Sequence, residues 1–176
     1  MTLDPVPVLV ARLLLAAVFA TAAVGKLRRR EAFEGIVANY RLLPERLALP
    51  FARALPFVEL ATVVLLIVPT TARAGGLLAA GLLLLFAGAM TVNILRGRTD
   101  IDCGCFVGFL RQRIGWPLVA RNLVLALAAV LPWLPVAPRP LGPFDLFTVA
   151  AAVVVLTASH AALSRLLELP APGERR

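Results

Sequence analysis

Along this chain, long apolar runs alternate with short polar connections. Five runs stand out, at about 6–25, 50–68, 75–95, 116–133 and 144–163. Roughly 20 apolar residues carry an α-helix across a bilayer core. Backbone polar groups cannot be left bare in lipid, so each run is predicted to be a helix. The unbroken apolar part of the second run, at 55–68, is short, which places the span's true start near Leu49, with Pro50 and Pro56 near its entry. Gly and Ala are frequent in the first and third runs, and small residues let helices approach closely. Between the first two runs, Phe33, Ile36, Val37 and Tyr40 recur at helical spacing, while Glu31, Glu34, Asn39 and Arg41 fall elsewhere. That pattern predicts a short amphipathic helix at 31–41 lying at the membrane interface, broken by Leu42-Leu43-Pro44. The expected fold class is an all-α membrane protein: a single transmembrane domain of four to five spanning helices, one interfacial helix and a polar tail at 170–176.

Composition strengthens this picture. Of 176 residues, 60% are hydrophobic and the mean hydropathy is +0.89. Soluble domains sit near half apolar, so the excess points to lipid as a second solvent. The first run follows MTLDPVPV, with no Lys or Arg before Arg12, and the positive charge comes after it as GKLRRR. A cleavable signal has the reverse order, so this run reads as a retained span. The net charge of +8 would suggest nucleic acid in a soluble protein. In a membrane protein Lys and Arg instead collect in cytoplasmic loops. With five spans, 14 of the 18 Lys and Arg lie on the side of the first loop, the third loop and the C-terminus. Three (Arg12, Arg73, Arg139) lie on the other, and Arg121 lies inside the fourth span. The expected orientation has the N-terminus outside and the C-terminus and third loop cytoplasmic.

The third loop, NILRGRTDIDCGCFVGFLRQRIGW, carries the two cysteines of the chain, Cys103 and Cys105. Residues two apart form a disulfide only with local distortion, and strained disulfides are easily reduced. That favours exchange with a partner over structural support. Arg96, Arg98, Arg111 and Arg113 surround the pair in sequence and are candidates for tuning a thiolate, against the opposing charge of Asp100 and Asp102. The bland alternative is a buried, inert pair of small apolar residues. Zinc wants four ligands and this loop offers two, so no metal is assigned. His160, in the last span, reads as a packed or polar helix-contact residue.

A second group emerges from topology. Lys26, Glu59, Asn93, Arg121 and Asn122 all fall near the same end of their spans, the end that bears the cysteines. Ionisable groups within spans are costly and usually point inward and pair, with Glu59 to Lys26 or Arg121 the obvious pairing. One reading is a buried ion pair fixing helix register. The other is a polar pocket beneath the Cys loop, able to hold a head group, a quinone or a partner's peptide.

The segments AVGKLRRREAF, NYRLLPERLA, LPFVELATVVLL, NILRGRTDIDCGCF and IGWPLVARNLVLA resemble the MauE proteins of methylamine utilisation, within the wider MauE/DoxX-like redox-associated membrane proteins. The specific part is RGR-x-DIDCGCF followed by W-x-L-x-x-RN. One departure is Val107, where glycine is expected after CGCF. The resemblance implies a membrane accessory protein in periplasmic cysteine oxidation. It implies work with a thioredoxin-like, MauD-like partner on a disulfide-containing client such as the methylamine dehydrogenase small subunit. That client is periplasmic, whereas the charge count puts the Cys pair on the cytoplasmic side. A re-entrant loop, a relay through a carrier such as quinone, or a failure of the charge rule would reconcile the two.

Three function classes follow. The leading one is a thiol–disulfide redox membrane protein with Cys103 and Cys105 as the reacting pair. The second is a non-enzymatic scaffold for a soluble redox protein, held through the basic amphipathic helix. The third is a quinone- or small-ligand-binding bundle built around Glu59, Asn93 and Arg121.

Overall fold

A computed structural model describes residues 3–105 and 112–166, with side chains through residue 162. Among the described residues the chain forms six α-helices and no strand. They are α1 (Pro5–Arg28), α2 (Arg30–Tyr40), α3 (Glu45–Ile67), α4 (Ala72–Leu95), α5 (Trp116–Ala128) and α6 (Pro143–Leu166). All but α2 belong to segments long and apolar enough to cross a membrane. These are Pro5–Arg28, Glu45–Ile67, Pro69–Leu95, Trp116–Trp133 and Pro143–Ala162. This is a multi-pass helical membrane protein. The tail at 170–176 and Val107 lie outside the described residues.

The helix ends follow local chemistry. Asp4 caps α1, its Oδ1 accepting from the Val6 N–H at 2.9 Å, and Pro5 occupies the first helical position. Helix α3 begins at Glu45, a few residues before the expected start near Leu49, and keeps both Pro50 and Pro56 inside. Each proline removes only one i→i−4 donor, and spanning helices tolerate that loss. Pro44 and the acidic first-turn residue Glu45 set the start instead. α2 stops at Tyr40 because Arg41 turns left-handed, with φ 49°.

Helices α1, α3, α4 and α5 share one core, in which Leu15, Phe19, Leu55, Leu66, Leu82, Leu83 and Leu125 are buried. Close approach depends on small residues. A Cβ on Gly75 would sit 2.7 Å from the Leu65 and Leu66 backbone, and one on Gly76 would sit 2.6 Å from the Ala129 carbonyl. The start of α4 is thus wedged between the ends of α3 and α5. α6 packs along α1 at the periphery. Val149 is buried in it, while Phe144, Phe147, Val154 and Val155 face outward, as residues bathed in lipid do.

The two ends of the bundle differ. At one, Arg139 bridges Asp4 (2.8 Å) and Asp145 (2.7 Å), tying the first span to the last. Arg12 at that end donates to the Leu66 and Ile67 carbonyls at the C-terminus of α3. At the other end lie α2, the Cys loop and the buried charges.

Candidate functional site

The Cys loop leaves α4 through a glycine turn. Gly97 has φ +71°, its N–H bonds to the Ile94 carbonyl, and the Arg98 N–H bonds to the Asn93 carbonyl. This 6→1 and 5→2 pair is the Schellman arrangement. It turns the next side chains toward α2. The Arg98 guanidinium reaches the Asn39 carbonyl at 2.8 Å, the Tyr40 carbonyl at 3.4 Å and Asn93 Oδ1 at 3.2 Å. Arg96 donates to the Arg41 carbonyl at 3.4 Å. These two arginines satisfy the exposed carbonyls at the C-terminus of α2, where cations are favoured.

The chain then forms a narrow hairpin. The Cys103 N–H bonds to the Gln112 carbonyl at 2.7 Å and the Ile114 N–H to the Ile101 carbonyl at 2.9 Å. Ile101 and Ile114 anchor its base against Met90, Leu118 and Val119. Gly104, at φ +73°, makes the bend between the cysteines. A Cβ there would lie 3.0 Å from Ile36 Cγ2 and 3.4 Å from Phe33, both on α2. Glycine is therefore required twice, by the left-handed backbone and by the contact. The Tyr40 hydroxyl donates to the Cys103 carbonyl at 3.2 Å, fastening the hairpin to α2. Burial beside the two cysteines pushes the Tyr40 phenol up, so it stays a donor.

The two thiols occupy different surroundings. Cys103 is buried, Cys105 is half-buried, and both are free thiols. The Cys105 N–H points at Cys103 Sγ, 3.3 Å away. A shared hydrogen bond with Cys103 lowers the Cys105 thiol, and the positive charges of Arg121 and Lys26 lower it further against the opposing effect of burial. The result is about 6. Cys103 is raised well above its ordinary value by the same hydrogen bond and by burial. The cations facing Cys105 thus come from α5 and α1. Arg96 and Arg98 are engaged with α2, and Arg113 pairs with Asp100 at 3.2 Å with both side chains exposed. Arg111 lies outside the described residues.

Beneath the loop, Lys26 Nζ and Glu59 Oε1 form an ion pair of 2.7 Å with both groups buried. The ammonium also lies over the rings of Phe33 (5.3 Å) and Phe86 (5.7 Å). A cavity of about 20 Å³ behind Cys105 is lined by Glu59, Arg121, Asn122 and His160 as well as Lys26. It is about large enough for one water. Arg121 Nη1 donates to Gln112 Oε1 at 3.3 Å, linking α5 to the hairpin. The structure therefore brings Lys26, Glu59, Arg121 and Asn122 together next to Cys105. Asn93 stands apart from that group, buried, with its side chain donating to the Ala89 carbonyl and accepting from Arg98. A larger cavity, about 160 Å³, lies on the other side of Lys26 between α2, α3, α4 and the hairpin.

Sequence reasoning missed three contributors. Tyr40 was assigned only to an apolar stripe, and Gln112 is one polar residue in a polar loop, with no signal to find it by. His160 joins the group because α6 folds back along α1, a packing no local pattern encodes.

The fold and this end of the bundle define a multi-pass helical membrane protein with a Cys-Gly-Cys hairpin set over buried charges. The chain belongs to the family described as Methylamine utilisation protein MauE, whose family model matches residues 5–135. It is 48% identical over 168 residues to the Methylamine utilization protein MauE of Methylorubrum extorquens, covering 93% of this chain and 90% of that protein. Its identity to the protein of the same name from Paracoccus versutus is 46% over 165 residues, covering 91% and 87%. For Paracoccus denitrificans the identity is 46% over 128 residues, covering 73% and 69%. No solved structure matches the chain.

Proposed function

We propose that this protein is a membrane accessory protein of methylamine utilisation that performs thiol–disulfide exchange through Cys103 and Cys105. The observation that carries the reading is the asymmetry of the pair. Cys105 sits at the cavity rim facing Arg121 and Lys26, and its hydrogen bond with Cys103 and those charges push its thiol down toward the thiolate, whereas buried Cys103 is pushed up. Thiolate is the attacking species, so Cys105 is the nucleophile. Cys103, kept protonated, with its sulfur 3.3 Å from the Cys105 backbone N–H, is the resolving thiol. The family supports the pathway, and the implied partner is a thioredoxin-like protein that passes the disulfide to a client such as the methylamine dehydrogenase small subunit.

In the exchange, Cys105 sulfur attacks a partner disulfide and forms a mixed disulfide as the partner's leaving thiolate departs. Cys103 then attacks Cys105 sulfur, closing the Cys103–Cys105 bond and releasing the partner as a dithiol. The reverse sequence oxidises a reduced partner. Cys103→Ser should trap a mixed disulfide with the partner, and Cys105→Ser should form none. Unimpaired client maturation with both serines present would overturn the proposal. The arginines at this end support a cytoplasmic loop in the bacterial inner membrane. Membrane-impermeant maleimide on intact cells tests this directly: labelling of Cys105 from outside would reverse that orientation and place the exchange in the periplasm.

A further inference from the structure

We propose that the cavity between α2, α3, α4 and the Cys hairpin binds a quinone, which accepts the two electrons released when Cys103 and Cys105 close to a disulfide. This rests on the thiol–disulfide reading above and names its electron acceptor.

Size comes first. The cavity holds about 160 Å³. A cavity of about 150 Å³ lined by Leu, Ile and Phe takes up one benzene. The space therefore suits a single six-membered ring. Its walls are mostly apolar, with three phenylalanines (Phe33, Phe51 and Phe86) among them. Position comes next. Both cysteines line the cavity, and so do Leu43 and Leu85, which are 38% and 49% exposed on the outer surface. Leu85 belongs to the spanning helix α4, so the mouth opens where an apolar tail would lie in the bilayer.

Charge then selects among apolar occupants. Among the described residues, Lys26 Nζ makes one hydrogen bond, to Glu59, and otherwise faces the rings of Phe33 and Phe86, which line the cavity. An ammonium has three N–H donors. A carbonyl oxygen entering between those rings would accept from it, whereas an acyl chain offers nothing to accept. A ring bearing carbonyls is a quinone. The chemistry balances: the Cys103 S–H bond breaks, one S–S bond forms to the Cys105 thiolate, two electrons enter the ring, and its two oxygens take up the Cys103 proton and one proton from water to give the quinol.

The test uses the full chain, purified in nanodiscs, reduced, and treated anaerobically with decylubiquinone. Thiols are counted by maleimide mass shift and quinol is quantified in parallel. The expected result is loss of two thiols and gain of one quinol per chain. Ala89→Trp fills the cavity from α4 and should slow this at least tenfold, while diamide still closes its disulfide and the oxidised variant still exchanges with a reduced thioredoxin-like partner. Val37→Trp, on the opposite wall, serves where Ala89→Trp does not fold. The quinone site is overturned if wild-type thiols stay reduced in decylubiquinone although diamide closes them. It is equally overturned if the filled variants oxidise at the wild-type rate, the outcome expected if a lipid chain occupies the cavity. Failure of partner exchange in every form would overturn the exchange function alone, because the quinone reaction is read on this protein by itself.

Discussion

The Lys26–Glu59 pair sets up a quantitative prediction. Its 2.7 Å separation corresponds to roughly 6 kcal/mol of attraction at an effective dielectric of about 20. Burying each ion costs several kcal/mol, so the intact pair is worth little compared with an apolar pair of the same shape. The terms separate when one partner goes. Lys26→Met leaves the Glu59 carboxylate buried and uncompensated, which should cost about 3–5 kcal/mol. Glu59 has no second partner to fall back on, because its Oε2 accepts no hydrogen bond among the described residues. The double variant Lys26→Met/Glu59→Leu removes both charges and should recover most of that loss. The assay is equilibrium unfolding in detergent micelles, followed by far-UV circular dichroism, on wild type, both singles and the double. A single variant as stable as wild type would mean that the pair is solvated. A double variant no more stable than Lys26→Met would mean that the loss is of packing, not of charge compensation.

Three further expectations concern the hairpin. Alkylation of Cys105 by iodoacetamide should speed up as pH rises through about 6 and then level off, because the thiolate is the reactive form; Arg121→Gln removes a lowering charge and should move that midpoint upward. An unchanged midpoint would remove Arg121 from the account. Gly104→Ala must hold φ near +73° and crowd Ile36, so it should destabilise the hairpin by about 1–2 kcal/mol, seen as faster alkylation of Cys103. Arg98→Ala frees the carbonyls at the end of α2 and should raise amide hydrogen exchange across residues 33–41, whereas protection equal to wild type would show that α2 is held by its apolar face alone.

The spans were legible because lipid leaves few options: a long apolar run must be a helix, and composition alone reveals it. Helix α3 reaches back past both prolines to Glu45, because each proline costs a spanning helix only one donor. A buried partner for Glu59, Lys26 or Arg121, was legible from depth, since these charges fall at the same end of their spans; the structure pairs it with Lys26. Asn93 sits at that depth too, yet it faces Arg98, since depth does not encode the direction a side chain takes around its helix. The arginines near the cysteines show the same limit in a loop. Arg96 and Arg98 are closer in sequence to Cys105 than Arg121 is, but the turn at Gly97 directs them to the end of α2. The charges that face the thiol arrive from α1 and α5, whose packing follows from the whole bundle.

Two cysteines separated by one residue would be expected to share an environment, and Gly104 prevents this. Its positive φ ends the backbone pairing that holds Cys103 to Gln112 and under Tyr40, and it brings Cys105 to the cavity rim before Lys26 and Arg121. The Cys105 N–H stays 3.3 Å from Cys103 Sγ while the bend separates the two acidities. The consequence for folding has a definite sign. Cys105 sits below its unfolded value of about 8.5, so the native state binds fewer protons there. Its contribution to stability is full above about pH 8.5 and is lost as pH falls through about 6. Closing a disulfide removes the thiolate and with it this contribution. The reduced form is thereby favoured relative to the oxidised one, and a dithiol stabilised in this way makes its disulfide a better oxidant of a partner. The same electrostatics that lower the Cys105 thiol therefore favour, under the proposed exchange, donation of the disulfide to a partner.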